Sequence, residues 1–205
     1  MVYKNFLLRL LISSLFIFIY IYISFINFYY ISYLIIIIYS LIILEIVLYF
    51  KNYKFIPFIY IIISFIFFFN INFTNEIFNT FNLFIIAVSS FDIFSYLIGK
   101  IFGRNKLIRL SPNKTIEGFL GGLFLSFFLT NLFALLLGLT IDTQLIGFIF
   151  LFILSAFVGD IIESYFKRKN NLKNSSKFIP GHGGVFDRFD SFLFSIVIYS
   201  VSINF

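Results

Sequence analysis

Cysteine and tryptophan are absent from this 205-residue chain, histidine and methionine occur once each, and there are three prolines. Without cysteine there is no disulfide framework, no thiolate nucleophile and no Cys-based metal site. Charge is scarce too. Only 12% of residues are charged, where a soluble domain is nearer a quarter. With 61% hydrophobic residues and a mean hydropathy of +1.05, the chain cannot present a water-compatible surface, and its surroundings must be mostly lipid. The 35 Phe and 13 Tyr, with abundant Ile, Asn and Lys, are spread along the whole chain and read as compositional drift. No internal repeat or linker divides the chain, so one all-α, polytopic membrane domain spanning 1–205 is expected.

A membrane span needs roughly 20 apolar residues. Seven such stretches are expected, at about 6–27, 31–50, 55–71, 77–98, 117–138, 144–166 and 188–205. The first is too long for a signal-peptide core and has no small-residue cleavage site, so it reads as an anchor. Its boundary with the second, near Asn27 to Ser32, has no strong breaker. Pro57 falls where a first helical turn tolerates it. Basic residues mark the N-terminal segment (Lys4, Arg9), the 51–54 loop (Lys51, Lys54) and two blocks: Lys100, Arg104, Lys106, Arg109 and Lys114, then Lys167, Arg168, Lys169, Lys173, Lys177 and Arg188. The intervening loops at 28–30, 72–76 and 139–143 carry no Lys or Arg. Seven spans put every basic loop on one side, taken as the cytoplasm, with the N-terminus there too. A cell inner membrane is the expected location. The two basic blocks follow either from this charge rule alone or from an anionic ligand held between them.

Ionisable groups inside spans are costly and usually face a protein interior or a wet cavity. Glu45, near the end of the second span, is expected to snorkel or to pair with Lys51 or Lys54. Asp92 lies deep enough in the fourth span to need a partner. Asp160, Glu163, Ser164 and Lys167 share one helical face by their spacing. They form either an intrahelical Glu163–Lys167 pair or a polar stripe leading to the basic block.

The stretch KFIPGHGGVFDRFDS (177–191) gathers the single histidine and three of the eleven glycines. Its glycines permit tight turns and let backbone N–H groups approach a phosphate. Asp187 and Asp190 then open the last helix. Capping would explain two acids at this spacing. It leaves the glycines, His182, Arg188 and the neighbouring cations unexplained. Two carboxylates beside such a loop suit Mg²⁺, which takes one or two carboxylates plus substrate phosphates. In the other block, Ser111-Pro112 suggests a turn. Ser111, Asn113, Lys114 and Thr115 precede a helix whose first turn holds Glu117, an arrangement that serves either as a cap or as an anion site. Gly118, Gly121 and Gly122 favour close helix packing. Together the loops and intramembrane acids fit a phosphorylated lipid and a nucleotide with a divalent metal between them, hence phosphoryl or nucleotidyl transfer.

The segment GDIIESYFKRKNNLKNSSKFIPGHGGVFDRFDS (159–191) resembles the signature of the phosphatidate cytidylyltransferases, or CDP-diglyceride synthases. The matching elements are Ser164, Lys167-Arg168, Lys173-Asn174, Pro180 to Gly184, and Asp187-Arg188-x-Asp190. Residues 92–122, with DIFSYLIGKIFGR and SPNKTIEGFLGG, are similar to the family's second region. The resemblance covers the C-terminal half of the chain. It implies that residues 77–205 are the catalytic helices and loops and 1–75 the anchor helices. The implied reaction joins CTP to phosphatidate, giving CDP-diacylglycerol and pyrophosphate with Mg²⁺ and room for a second cation.

In that reading Asp187 and Asp190 bind metal, and Asp160 and Glu163 complete the site. Lys167, Arg168, Lys173 and Arg188 neutralise phosphates. Gly181, Gly183 and Gly184 bring the backbone to them, and His182 orients a phosphate or a metal-bound water. Ser111, Lys114 and Thr115 contact a substrate phosphate, while Asp92 and Tyr96 line the cavity. The family's K-D dipeptide reads Lys173-Asn174 here, so Asn174 offers a metal an oxygen without charge. Ile93 stands where a small or hydroxyl residue usually follows the Asp. Partners are CTP, phosphatidate and the bilayer, with a homodimer compatible and no nucleic acid expected. Two alternatives stay open: a CTP-dependent transferase or kinase acting on another lipid, and an inactive membrane relative or transporter.

Overall fold

The structure, a computed structural model, describes residues 14–15, 18–108, 110–178 and 183–203. Among the described residues seven helices follow one another: α1 (described over 18–26), α2 (Tyr30–Tyr49), α3 (Phe55–Phe69), α4 (Phe78–Phe102, entered through a 3-10 turn at Asn75–Ile77), α5 (Ile116–Leu136), α6 (Thr143–Lys169) and α7 (Phe186–Ser202). Between α4 and α5 sits a two-stranded antiparallel ribbon, β1 (Lys106–Ile108) and β2 (Ser111–Thr115). Ile- and Phe-rich segments would favour strands in water. In lipid every backbone N–H and C=O must be satisfied within the segment, so they coil as helices. Large apolar side chains such as Phe25, Phe69, Phe124 and Leu136 stand exposed around the bundle, as a lipid-facing surface requires.

The chain is thus a polytopic membrane protein, almost entirely helical. By length and apolarity four helical segments suffice to cross a membrane: Tyr30–Tyr49, Asn75–Phe102, Ile116–Leu136 and Thr143–Lys169. The third expected span is shorter, 15 residues in α3, and α7 opens with three charged residues. Part of the first span, and residues 204–205 of the last, lie outside the described residues. The α1–α2 boundary is an asparagine turn: Asn27 Oδ1 accepts from the Tyr29 N–H (3.0 Å). The 100–115 connector also differs from expectation. Ser111-Pro112 is not the turn but the start of β2, with Ile108 opposite Ser111 and the reversal between them. Proline has no N–H to donate, which a strand of a two-stranded ribbon tolerates on its open edge.

Helices α4 and α5 pack as one pair, α6 and α7 as another. Small residues set both approaches. A Cβ on Gly118 or Gly122 would run into the backbone of Ser95, and one on Gly159 would lie 2.5 Å from the Asp190 carbonyl oxygen. Close backbone contact of this kind drives helix association where lipid offers no hydrophobic gain. Buried hydroxyls add ties: Ser155 Oγ donates to Ser195 Oγ (2.9 Å), and Ser64 Oγ to the Leu193 carbonyl (2.5 Å). Phe81, Phe84, Phe152 and Tyr199 fill the centre, with the Phe84 and Tyr199 rings stacked at 4.8 Å.

The two ends of the bundle differ. At one end the turns carry no lysine or arginine, and Phe28 packs on Phe73, Phe78 and Phe81. At the other, polar contacts join three connectors. The Asn52 N–H donates to Asn170 Oδ1 (3.0 Å), Arg168 Nε donates to the Leu110 carbonyl (3.3 Å), and Lys169 lies over the rings of Tyr53 and Tyr165.

Gly159→Ala should destabilise the protein by about 1–3 kcal/mol through overpacking against α7. Gly147→Ala on the same helix, where an added methyl meets nothing within 4 Å, should be neutral. Thermal unfolding in detergent compares the two.

Candidate active site

Charged side chains meet at the polar end of the bundle, where α6 and α7 touch. One turn of α6 supplies Asp160 and Glu163, and α7 supplies Asp190. One carboxylate oxygen from each lies within 4.8 Å of the others, a group able to hold a metal ion. Glu163 has no exposure, and its Oε1 has no hydrogen-bond donor among the described residues. Three oxygen donors with an unsatisfied buried carboxylate oxygen fit a hard divalent cation.

Two lysines hold the carboxylates. Lys167 Nζ contacts Glu163 Oε2 (2.5 Å) and donates to Asp187 Oδ1 (2.8 Å), joining α6 to α7. Thus the intrahelical pair and the polar stripe are both present, and the stripe faces α7. Lys114, carried in by β2, contacts Asp160 Oδ2 (2.5 Å) and packs over the Phe157 ring. The ribbon is fixed at its base by Glu117, which accepts from the Arg104 and Asn105 backbone N–H groups. Arg168 fixes it further along by the Leu110 contact, and also donates to the Leu172 carbonyl (3.3 Å).

Asp187 sits beside the acidic group rather than in it. Its Oδ2 accepts from the Ser175 and Gly184 N–H groups, both at 2.9 Å, so it closes the 175–184 loop while meeting Lys167. The Gly184 amide is therefore already engaged. Gly183 takes a positive φ of 88°, and exposed Asn174 abuts it. Lys173 and Arg188 are exposed on the same end. Asp92 reaches α7, accepting from Ser191 Oγ (2.9 Å). Tyr96 is 65% exposed with Lys100 over its ring. Thr115 caps α5, its Oγ1 accepting from the Gly118 N–H (3.1 Å), and Ser111 lies half-buried in β2. Gly181 and His182 lie outside the described residues.

Glu45 corrects the sequence expectation. It neither snorkels nor pairs with the exposed Lys51 or Lys54. It has no exposure, and its Oε2 accepts from the Val185 (2.7 Å) and Phe186 (3.2 Å) N–H groups at the start of α7. Its one visible signal was being the sole acid in the first 75 residues, with a partner about 140 positions away. Ser175 and Ser191, both partners of carboxylates here, also went unnoticed. Serine is common in such a chain, and nothing local distinguishes these two.

Fold and site define a class: a polytopic membrane protein with a carboxylate group and two ion-paired lysines at one end of its bundle. Known proteins narrow it. The sequence model of the Cytidylyltransferase family matches residues 2–205. A phosphatidate cytidylyltransferase of Bacillus subtilis (strain 168) is 45% identical over 112 residues, which is 53% of this chain and 41% of that protein. One from Staphylococcus aureus (strain COL) is 41% identical over 112 residues, 54% of this chain and 43% of the relative. One from Staphylococcus haemolyticus (strain JCSC1435) is 40% identical over 113 residues, with the same coverage. The matched stretch therefore spans about two fifths of each relative's length. This chain belongs to the cytidylyltransferase family.

Removing one member of a buried ion pair strands the others, at about 3–5 kcal/mol. Lys167→Met should lower stability by an amount in that range, since it leaves Glu163 and Asp187 together. Lys114→Met, whose partner Asp160 is 31% exposed, should cost about 1 kcal/mol or less. Equilibrium unfolding of the two variants in detergent checks the order.

Proposed function

We propose that this chain transfers the cytidylyl group of CTP to phosphatidate, releasing pyrophosphate and leaving CDP-diacylglycerol in the membrane for phospholipid synthesis. The observation that carries the reading is the Asp160–Glu163–Asp190 group with Lys167 and Lys114 beside it, at the end of the bundle that gathers the basic loops. An oxygen of the phosphatidate phosphomonoester attacks the α-phosphorus of CTP. The bond from that phosphorus to the bridging oxygen of pyrophosphate breaks, and the electron pair leaves with the pyrophosphate. The nucleophile is already ionised, so no residue need remove a proton from it.

The work left to the protein is placement and charge neutralisation. Asp160, Glu163 and Asp190 would hold Mg²⁺, which would withdraw charge from the triphosphate oxygens. Lys167 and Lys114, each held by carboxylates, would present their ammonium groups to phosphate. Arg168, Lys173 and Arg188 add positive potential from the surrounding loops. Asp187 holds Ser175 and Gly184 together through their N–H groups. Gly181, Gly183 and His182 would orient a phosphate of the nucleotide. The polar end faces the cytoplasm in this reading, by the placement of its basic loops and the supply of CTP there. Residues 1–205 act as one membrane domain, with 77–205 carrying the chemistry and 1–75 the anchoring helices.

Purified protein supplied with labelled CTP, phosphatidate and Mg²⁺ should form CDP-diacylglycerol, with no product when EDTA is present. A polyprenyl phosphate in place of phosphatidate should give none. Asp190→Asn should lower turnover by about 100-fold or more while the protein still purifies as a folded species. Product formation by Asp190→Asn at the unmodified rate contradicts the assignment, and a preference for the other lipid contradicts the substrate.

A further inference from the structure

The start of α7 is held from outside the catalytic half of the chain. Val185, the residue that opens the helix, has no capping side chain of its own. The amides of Val185 and Phe186 instead donate to Glu45 Oε2, brought by α2. The other oxygen, Oε1, is buried beside Ser175 Oγ and the bare Cα of Gly184, and a Cβ at position 184 would overlap both. Gly184 thus admits the Glu45 carboxylate, a role its position in a glycine loop does not reveal. Asp187 takes the preceding amide, that of Gly184, together with that of Ser175. Two carboxylates, one on α2 and one on α7, consume the N–H groups of 184–186 in sequence.

Helix α2 packs chiefly on α3, and among the described residues this hydrogen-bonded tie and the Phe50 ring against Phe186 join its end to the start of α7. A carboxylate buried in a membrane bundle is costly unless hydrogen-bonded, and an Ile at this position would match the rest of α2. The bonds fix where α7 begins and how it is rotated. That rotation decides whether Asp190, one turn further on, meets Asp160 and Glu163.

We propose that Glu45 is a positioning residue for the α6–α7 site: through the first amides of α7 it sets the register of the helix that carries Asp187 and Asp190. The inference rests on the proposed function for its kinetic readout and on the fold alone for its structural one.

Hydrogen exchange over residues 183–190 and steady-state kinetics test it together, on Glu45→Leu, Glu45→Gln and Ser64→Ala. Ser64 supplies a different buried tie to α7, at Leu193. Glu45→Leu should exchange about tenfold faster over 183–190. Its kcat should fall about 10- to 100-fold with KM for CTP within about twofold, as displacement of an aligned group does. Glu45→Gln, whose amide oxygen still accepts, should stay within about threefold of the unmodified protein on both measures. Ser64→Ala should lower the thermal midpoint without altering exchange at 183–190 or kcat. Protection and kcat retained in Glu45→Leu would overturn the proposal, as would equal effects from Ser64→Ala. If Glu45→Leu does not fold, Glu45→Asp, one methylene too short to reach both amides, should show the same changes at smaller size, and unchanged exchange there overturns it. Absent turnover in the unmodified protein contradicts the proposed reaction, while the exchange result still decides the role of Glu45.

Discussion

The ammonium of Lys167 between the carboxylates of Glu163 and Asp187 is the interaction on which the rest of the structure turns. Acids in lipid are tolerated only when something answers their charge. Glu163 has no exposure, so its helix must bring a cation or meet one. Lys167, one turn along α6, supplies it and then reaches α7. The two helices are thereby joined at their polar ends, and Gly159 lets their backbones close to contact. The ribbon between α4 and α5 answers the remaining acid of α6 by placing Lys114 on Asp160.

This arrangement leaves more carboxylates than nearby paired lysines, with Asp160, Glu163 and Asp190 converging within one ion's reach. A bundle selected only for stability would replace such a group by packed apolar residues, often at no cost. Its persistence in a chain that is otherwise so apolar fits a site that works on charged molecules. Membership of the cytidylyltransferase family agrees with that chemistry, and the proposed substrates each bring phosphate to this end of the bundle. The α2 helix enters the same picture through Glu45, whose buried contact with the start of α7 crosses the proposed division into anchor and catalytic parts.

Much of this was legible from residue order. The six helices from α2 to α7 start within two residues of where apolar runs and caps put them, because lipid forces long apolar segments into helices whatever their propensities. The face shared by Asp160, Glu163 and Lys167 followed from helical spacing. The ribbon did not: three- and five-residue strands have no periodicity, and Ser-Pro reads as a turn in the absence of a partner strand. Asp187 and Asp190 looked equivalent at three-residue spacing. Their separation into a loop clasp and a member of the acidic group depends on the Ser175 and Gly184 amides, which no linear pattern places. Glu45 was misread for the same reason, since its partners are amides in a distant loop and an amide has no sequence signature.

Binding of Mn²⁺ followed by electron paramagnetic resonance tests the convergence of α6 and α7 most directly, because the metal reports all three carboxylates whether or not any substrate is turned over. One Mn²⁺ site per chain, displaced by Mg²⁺, is predicted. It should be lost in Glu163→Gln and in Asp190→Asn, and kept in Asp142→Asn, where the altered acid only caps the far end of α6. Binding that survives both site substitutions, or no saturable site in the unmodified protein, would contradict the account.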